Sequence, residues 1–305
     1  MNFVQQVYKG KNDWWMYFVS YIVLFAPFAL NILAFILMPE IFDTAYEDMK
    51  NFKGDKNMYL ALNLLPFVFL LLLLIFFVKY MHQRSFTSLV TSRKKIDWSR
   101  FFYAFFIWGF ISTAIISIGI FIAPENFIWN FKPIKFFMLV IVSLLFIPLQ
   151  TSFEELFFRG YLMQGIGLLV KNKWMPLLVT SILFGTMHWF NPEVEKIGDI
   201  ALIFYIGTGF LFGITTLMDE GTELALGMHA VNNILAAVFI TTDWTVFQTD
   251  AMYIDISEPS VGWEMFFPVL VIYPLMIFIF SKKYGWTNWK EKLFGTIEKP
   301  IILEE

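Results

Sequence analysis

The sequence predicts an all-α, polytopic membrane protein of about eight transmembrane helices, and three observations carry that expectation. The first is composition. Of 305 residues, 58% are hydrophobic and 15% charged, whereas a soluble domain is roughly a quarter charged and about half apolar. The second is pattern: uncharged stretches of about 20 residues, the length a helix needs to cross the hydrocarbon core, recur along the whole chain. The third is the uneven placement of Lys and Arg between them. Such a chain is neither a soluble enzyme nor a disordered one. Its 38 Phe suit a lipid-facing surface, and its net charge of −3 argues against nucleic acid as a partner. The absence of cysteine excludes disulfides, thiolate metal sites and cysteine nucleophiles.

The spans follow in order. Lys9 and Lys11 precede an uncharged run over 14–38. That run is too long for the apolar part of a signal peptide and no small-x-small pattern follows it, so it reads as a first span that stays. Further spans fall at 57–78, 101–123, 136–170, 174–192, 200–218, 224–242 and 265–280. The fourth would be about 52 Å long as one helix, against a core of about 30 Å. Pro148 is its natural break point. The sixth carries Gly207, Gly209 and Gly213, read as close helix packing. Asn31, Asn63, Gln164 and Asn232 read as hydrogen-bonding glue between helices. There is no internal repeat. The expectation is one transmembrane domain over 1–305, with a motif-bearing core at 136–240 and a short tail at 301–305.

With the N-terminus inside, the inner segments hold 15 Lys and Arg and the outer loops 6, Lys50 and Lys53 among them. This bias places both termini in the cytoplasm. The acidic turn at 219–223 adds nothing to it.

The informative residues are those that lipid disfavours. An ionisable group at the bilayer centre costs about 2.5–3.5 kcal/mol on insertion scales and usually faces a bundle interior. Three places concentrate such groups. Glu154 and Glu155 are followed by Arg159. On a helix Glu155 and Arg159 share a face, while Glu154 points about 100° away. One carboxylate is thus neutralised and the other is left for another task. His188 lies one turn after Phe184, and His229 one turn before Asn233. His82 sits in a basic loop beside Arg84 and reads as a solvated or interfacial residue.

Each feature alone has a plain structural reading: a packing clamp for the ion pair, a hydrogen-bonded core residue for each His, interhelical glue for Asn233. Together, Glu154, His188, His229 and Asn233 are the parts of a hydrolytic site. A carboxylate serves as general base toward water, and imidazole and amide groups donate to an oxyanion. Two His and a Glu also make a possible zinc set, Glu154, His188 and His229, though no HExxH is present. No carboxylate is near either His in sequence to orient a metal ligand, and this favours a reaction without zinc. One difficulty is depth. His188 lies roughly 22 Å along a helix from Lys173, and His229 roughly 9 Å from Glu223. Either the 219–223 turn dips into the protein or the span ends differ.

The three motifs, Glu154-Glu155-x-x-x-Arg159, Phe184-x-x-x-His188 and His229-x-x-x-Asn233, with the continuation Arg159-Gly160-Tyr161-Leu162, resemble the signature of the CAAX protease and bacteriocin-processing family. The resemblance covers roughly 136–240 and all motif positions are intact. It implies an eight-helix membrane fold and peptide-bond hydrolysis within or near the bilayer. It implies Glu154 as the water-activating base, Glu155 and Arg159 as a supporting pair, His188 as aligning the water or base, and His229 and Asn233 as the oxyanion hole. The expected partners are membrane lipid and a peptide or protein substrate, with no cofactor unless zinc. The competing readings are a non-proteolytic scaffold or bacteriocin-immunity protein on the same fold, and a proton-coupled transporter. The missing repeat symmetry speaks against the transporter. The lack of cysteine and of organelle signals, with the Phe- and Ile-rich usage, suggests a bacterial cytoplasmic membrane.

Overall fold

A computed structural model describes residues 1–38, 40, 44, 54–259 and 261–300. Among them, six helices are long and apolar enough to cross a membrane: Trp14–Ala34, Lys56–Met81, Trp98–Ile122, Pro133–Val170, Asp199–Asp219 and Met265–Tyr284. Two shorter apolar helices, Trp174–Thr186 and Glu223–Val238, stand at the other two expected spans. The chain is an all-α integral membrane protein. Lys50, Lys53 and the expected tail at 301–305 lie outside the described residues.

The long helices are α1 (Trp14–Leu37), α2 (Lys56–Phe76) and α3 (Trp98–Ile122). Acidic caps start two of them. Asp55 accepts from the Asn57 and Met58 amides at 2.8 and 3.2 Å, and Asp97 from the Ser99 amide at 3.0 Å. On α3 the buried residues are Ala104 and Trp108, while Phe102, Phe106, Phe110 and Phe121 face outward. In water that surface would aggregate; against acyl chains it costs nothing.

α4 (Pro133–Glu155) corrects the expected break at Pro148: the helix runs straight through it. Ile147, beside the proline, is wholly buried where α4 meets α2 and α8, and this packing holds the helix across its missing hydrogen bond. The irregularity comes later, as a π-helical turn over Leu156–Leu162, before α5 (Met163–Val170). A π turn fits one extra residue into the helix and recurs at functional sites.

α6 (Trp174–Thr186), α7 (Leu202–Asp219), α8 (Glu223–Val238) and α9 (Tyr273–Tyr284) complete the bundle. α6 ends earlier than the expected 174–192, so His188 lies in the turn beyond it. α8 packs against α3 and α4, α7 against α6, and α2 against α4. Two contacts bring backbones together. A Cβ at Gly227 would stand 2.2 Å from the Phe101 carbonyl oxygen, and one at Gly209 2.5 Å from that of Ser181.

The depth difficulty resolves at the 219–223 turn, where Asp219, Thr222 and Glu223 are all buried. Arg93 holds Asp219 at 2.7 Å and Glu223 at 3.2 Å, and Arg100 pairs with Asp219 as well. α8 therefore begins inside the protein, and His229 and His188 line one cavity.

The N-terminal 3₁₀ helix Val4–Lys9 packs against α5. The Phe3 amide donates to Glu220 Oε2 at 2.5 Å, and Gln164 donates to the carbonyls of Phe3 and Ser88. Asn232 accepts from Trp108 Nε1 at 3.2 Å between α8 and α3. Gln164 and Asn232 thus act as glue. Asn63 does not: it donates to Tyr59 of its own helix and is exposed, as is Asn31. His82 is a second correction. It is fully buried, its Nδ1 donating to the Lys11 carbonyl at 2.8 Å and its Nε2 accepting from Tyr161 Oη at 2.5 Å. The N-terminal segment folding over the basic loop removes it from water.

Three short strands, β1 (Phe127–Trp129), β2 (Ile240–Thr241) and β3 (Tyr253–Asp255), form a sheet in the order β1-β3-β2. β1 pairs antiparallel with β3, and β2 parallel. The segment between β2 and β3 covers one end of the bundle and lines the cavity described next.

Candidate active site

Glu154 and Glu155 close α4, and the π turn carries Arg159. The two adjacent carboxylates turn to different surroundings. Glu155 and Arg159 are wholly buried and paired at 2.9 Å. The same oxygen, Glu155 Oε1, accepts from His229 Nδ1 at 2.8 Å. Arg159 also donates to the Gly209 carbonyl at 3.2 Å and lies over the Phe184 ring at 4.2 Å. Glu155 is therefore committed to two donors from different helices.

Glu154 instead lines a cavity of about 710 Å³. Its Oε1 accepts from Gln150 Nε2 at 2.5 Å. Its Oε2 stands 3.5 Å from His229 Nε2 and has no hydrogen bond among the described residues. Asn233 Nδ2 lies 3.4 Å from the same His229 nitrogen and donates to Gln150 Oε1 at 3.2 Å. Gln150 thus ties Glu154 to Asn233. Because His229 Nδ1 is spent on Glu155, its Nε2 is the nitrogen presented to Glu154 and Asn233.

His188 Nδ1 donates to the Phe184 carbonyl at 2.8 Å. Its ring stacks on Tyr205, centroids 4.2 Å apart and planes at 16°. The Tyr205 hydroxyl donates to Glu193, as does Asn191 at 3.0 Å.

Glu154, His188, His229 and Asn233 all line the one cavity, while Glu155 and Arg159 stand behind it. The sequence reading missed Gln150, although a carboxamide one turn before Glu154 in an apolar span was a visible signal. It also missed Tyr205 and Glu193, which only the fold brings to His188. The sequence argument against zinc loses one ground, because Glu155 arrives as a carboxylate partner of His229. Among the described residues, however, no three His, Asp or Glu side chains form a group able to hold a metal ion.

The Rce1-like family, described as type II CAAX prenyl endopeptidase Rce1-like, matches residues 133–235. This stretch is similar to that family. It runs from the start of α4 nearly to the end of α8 and contains all six candidate residues. The uncharacterized protein YyaK of Bacillus subtilis (strain 168) is 29% identical over 284 residues, which is 89% of this chain and 93% of that protein. No solved structure matches the chain.

Proposed function

We propose that the protein is an intramembrane endopeptidase in which Glu154 activates water. The observation that carries this reading is the division of labour between neighbours: Glu155 is wholly buried and spends one oxygen on both Arg159 and His229, whereas Glu154 lines the cavity. Water held at the Glu154 carboxylate gives its proton to that carboxylate as its oxygen attacks the peptide carbonyl. The oxyanion that forms takes N–H bonds from Asn233 Nδ2 and from His229, whose ring Glu155 holds in place through Nδ1. His188 aligns the water or the base. Glu154 then returns the proton to the leaving amine, so the step balances. The Rce1-like stretch supports the peptidase class. The membrane is a bacterial cytoplasmic one, and the substrate is a peptide or protein associated with it.

One observation favours a second reading. Both histidines donate through Nδ1 to an oxygen acceptor, which leaves Nε2 as the nitrogen for another partner, as in metal-ligating histidines. Glu154, His188 and His229 are the side chains that would have to draw together to hold zinc, since as they stand they form no metal-holding group among the described residues.

The test is peptide cleavage by purified protein in lipid nanodiscs, with elemental analysis and exhaustive chelation. Glu154→Ala and His188→Ala are expected to lose activity about 10²- to 10⁴-fold while inserting normally. Glu155→Ala and Arg159→Ala are expected to lower yield, since breaking a buried pair costs about 3–5 kcal/mol. Full activity in Glu154→Ala ends the assignment. Stoichiometric zinc, with activity lost on chelation and restored by zinc, selects the second reading.

A further inference from the structure

Among the described residues, the cavity holds a charge that no cation of its lining balances. That lining contains no described Lys or Arg, and its carboxylates are Glu154 and Glu193. Glu154 has His229 beside it. Glu193, in the short helix Pro192–Ile197, has no cation: none of its contacts among the described residues is an ion pair. It is 8% exposed. Its Oε1 accepts from Tyr205 and from Asn191, and its Oε2 from the Val246 amide at 3.2 Å. Both oxygens are thus held by neutral partners. Three neutral donors fix its position without cancelling its charge. Lys196, one residue short of that helix's end, lines a separate depression and not this cavity.

A largely buried charge without a counter-ion is costly, and the cost falls when a ligand brings the opposite charge. The location suits a ligand group. The Tyr205 ring stacks on His188 and its hydroxyl donates to Glu193, so the carboxylate lies in the same cavity as the candidate catalytic groups, joined to His188 through one tyrosine. The lining is also rich in carboxamides, including Gln150, Asn191, Asn233 and Gln248, which suit the N–H and C=O groups of an extended peptide. A free C-terminal carboxylate would meet no cation there.

We infer that Glu193 is a specificity determinant: it reads a basic side chain, lysine or arginine, close to the bond to be cut, within an internal stretch of peptide. This rests on the peptidase reading only in that the cavity must bind a peptide. Cleavage is not needed to see it.

The experiment uses the full chain carrying Glu154→Gln in nanodiscs and a set of fluorescent, end-capped decapeptides of Ala, Ser and Leu. A single Lys, norleucine or Glu is scanned through each position, and binding is read by anisotropy at low and high salt. At one or two adjacent positions the Lys peptide is expected to bind at least tenfold tighter than its norleucine twin, and the Glu peptide weakest. The preference should shrink with salt. Adding Glu193→Gln should bring Lys binding to the norleucine level and leave norleucine binding unchanged. Tyr205→Phe, which removes a donor but keeps the charge, should retain the Lys preference. Equal binding of Lys and norleucine peptides, or no binding of either, overturns the inference. So does an equal loss for both peptides in Glu193→Gln, which would make Glu193 a prop for Tyr205 and the segment carrying Val246. If the chain with Glu154 intact cleaves none of these peptides while the Lys preference stands, the peptidase reading fails and the cation subsite does not.

Discussion

Glu154 and Glu155 share a chemistry and adjoin in sequence, yet one is sealed between an arginine and a histidine and the other opens onto a cavity. A step of one residue on a helix is enough for this, and so the split was readable from sequence. What sequence left out was the third dimension of the same site: Gln150 bridging Glu154 to Asn233, and Glu155 reaching His229 across helices. His82 shows the reverse error. A histidine among lysines and arginines looks wet, but a segment more than seventy residues away covers it. Burial lowers its pKa from 6.5 to about 4, the nearby Arg84 adding to the effect against the Lys11 carbonyl. The folded state therefore prefers neutral His82, and the unfolded chain binds the extra proton between about pH 6.5 and 4. Stability contributed by His82 is constant above pH 6.5 and is lost as pH falls toward 4. Melting of detergent-solubilised protein from pH 7.5 to 4.5 should show that decline, and His82→Gln should flatten it. An unchanged slope in the variant would mean other groups control acid stability.

At the scale of elements, hydropathy located all eight segments but not their lengths. α6 and α8 have 13 and 16 residues, too few to cross about 30 Å of hydrocarbon as straight helices. They carry, or lead into, the histidine motifs, and they are short because α8 starts inside the protein and α6 stops before His188. Pro148 misled for a related reason: a proline marks where a helix is free to bend, and packing on both sides decides whether it does. The glycines of α7 were read correctly as packing residues. Gly209 lets α7 lie against the α6 backbone while its carbonyl accepts from Arg159. Gly209→Ala would force the two helices apart, at a cost of about 1–3 kcal/mol for overpacking. Lower yield and an earlier thermal transition are expected. Gly119→Ala, where nothing lies within 4 Å of the added carbon, should be neutral and serves as control. Equal stability of the two variants would show that the α6–α7 contact is slack.

For the molecule as a whole, composition and periodicity sufficed to read an α-helical membrane protein, because apolar surface on this scale has no other stable home. They were silent on the small sheet, whose strands have 2 or 3 residues and no periodicity to detect. The lysine and arginine bias proposes that both ends of the chain lie in the cytoplasm. Reporter fusions at each terminus, one active only in the cytoplasm and one only outside, should both report cytoplasm; opposite results at the two ends would require an odd number of crossings. The N-terminal helix also has a bearing on timing. Its Phe3 amide is bonded to a residue 217 positions later in the chain. At synthesis rates of about 5–20 residues per second, that partner emerges on the order of ten to forty seconds after Phe3 does. A segment made that much earlier than its partner is thus among the last to find its seat, after the motif helices have been made. Whatever holds it in that interval, or tethers it artificially at its amino end, acts on the closing step of assembly.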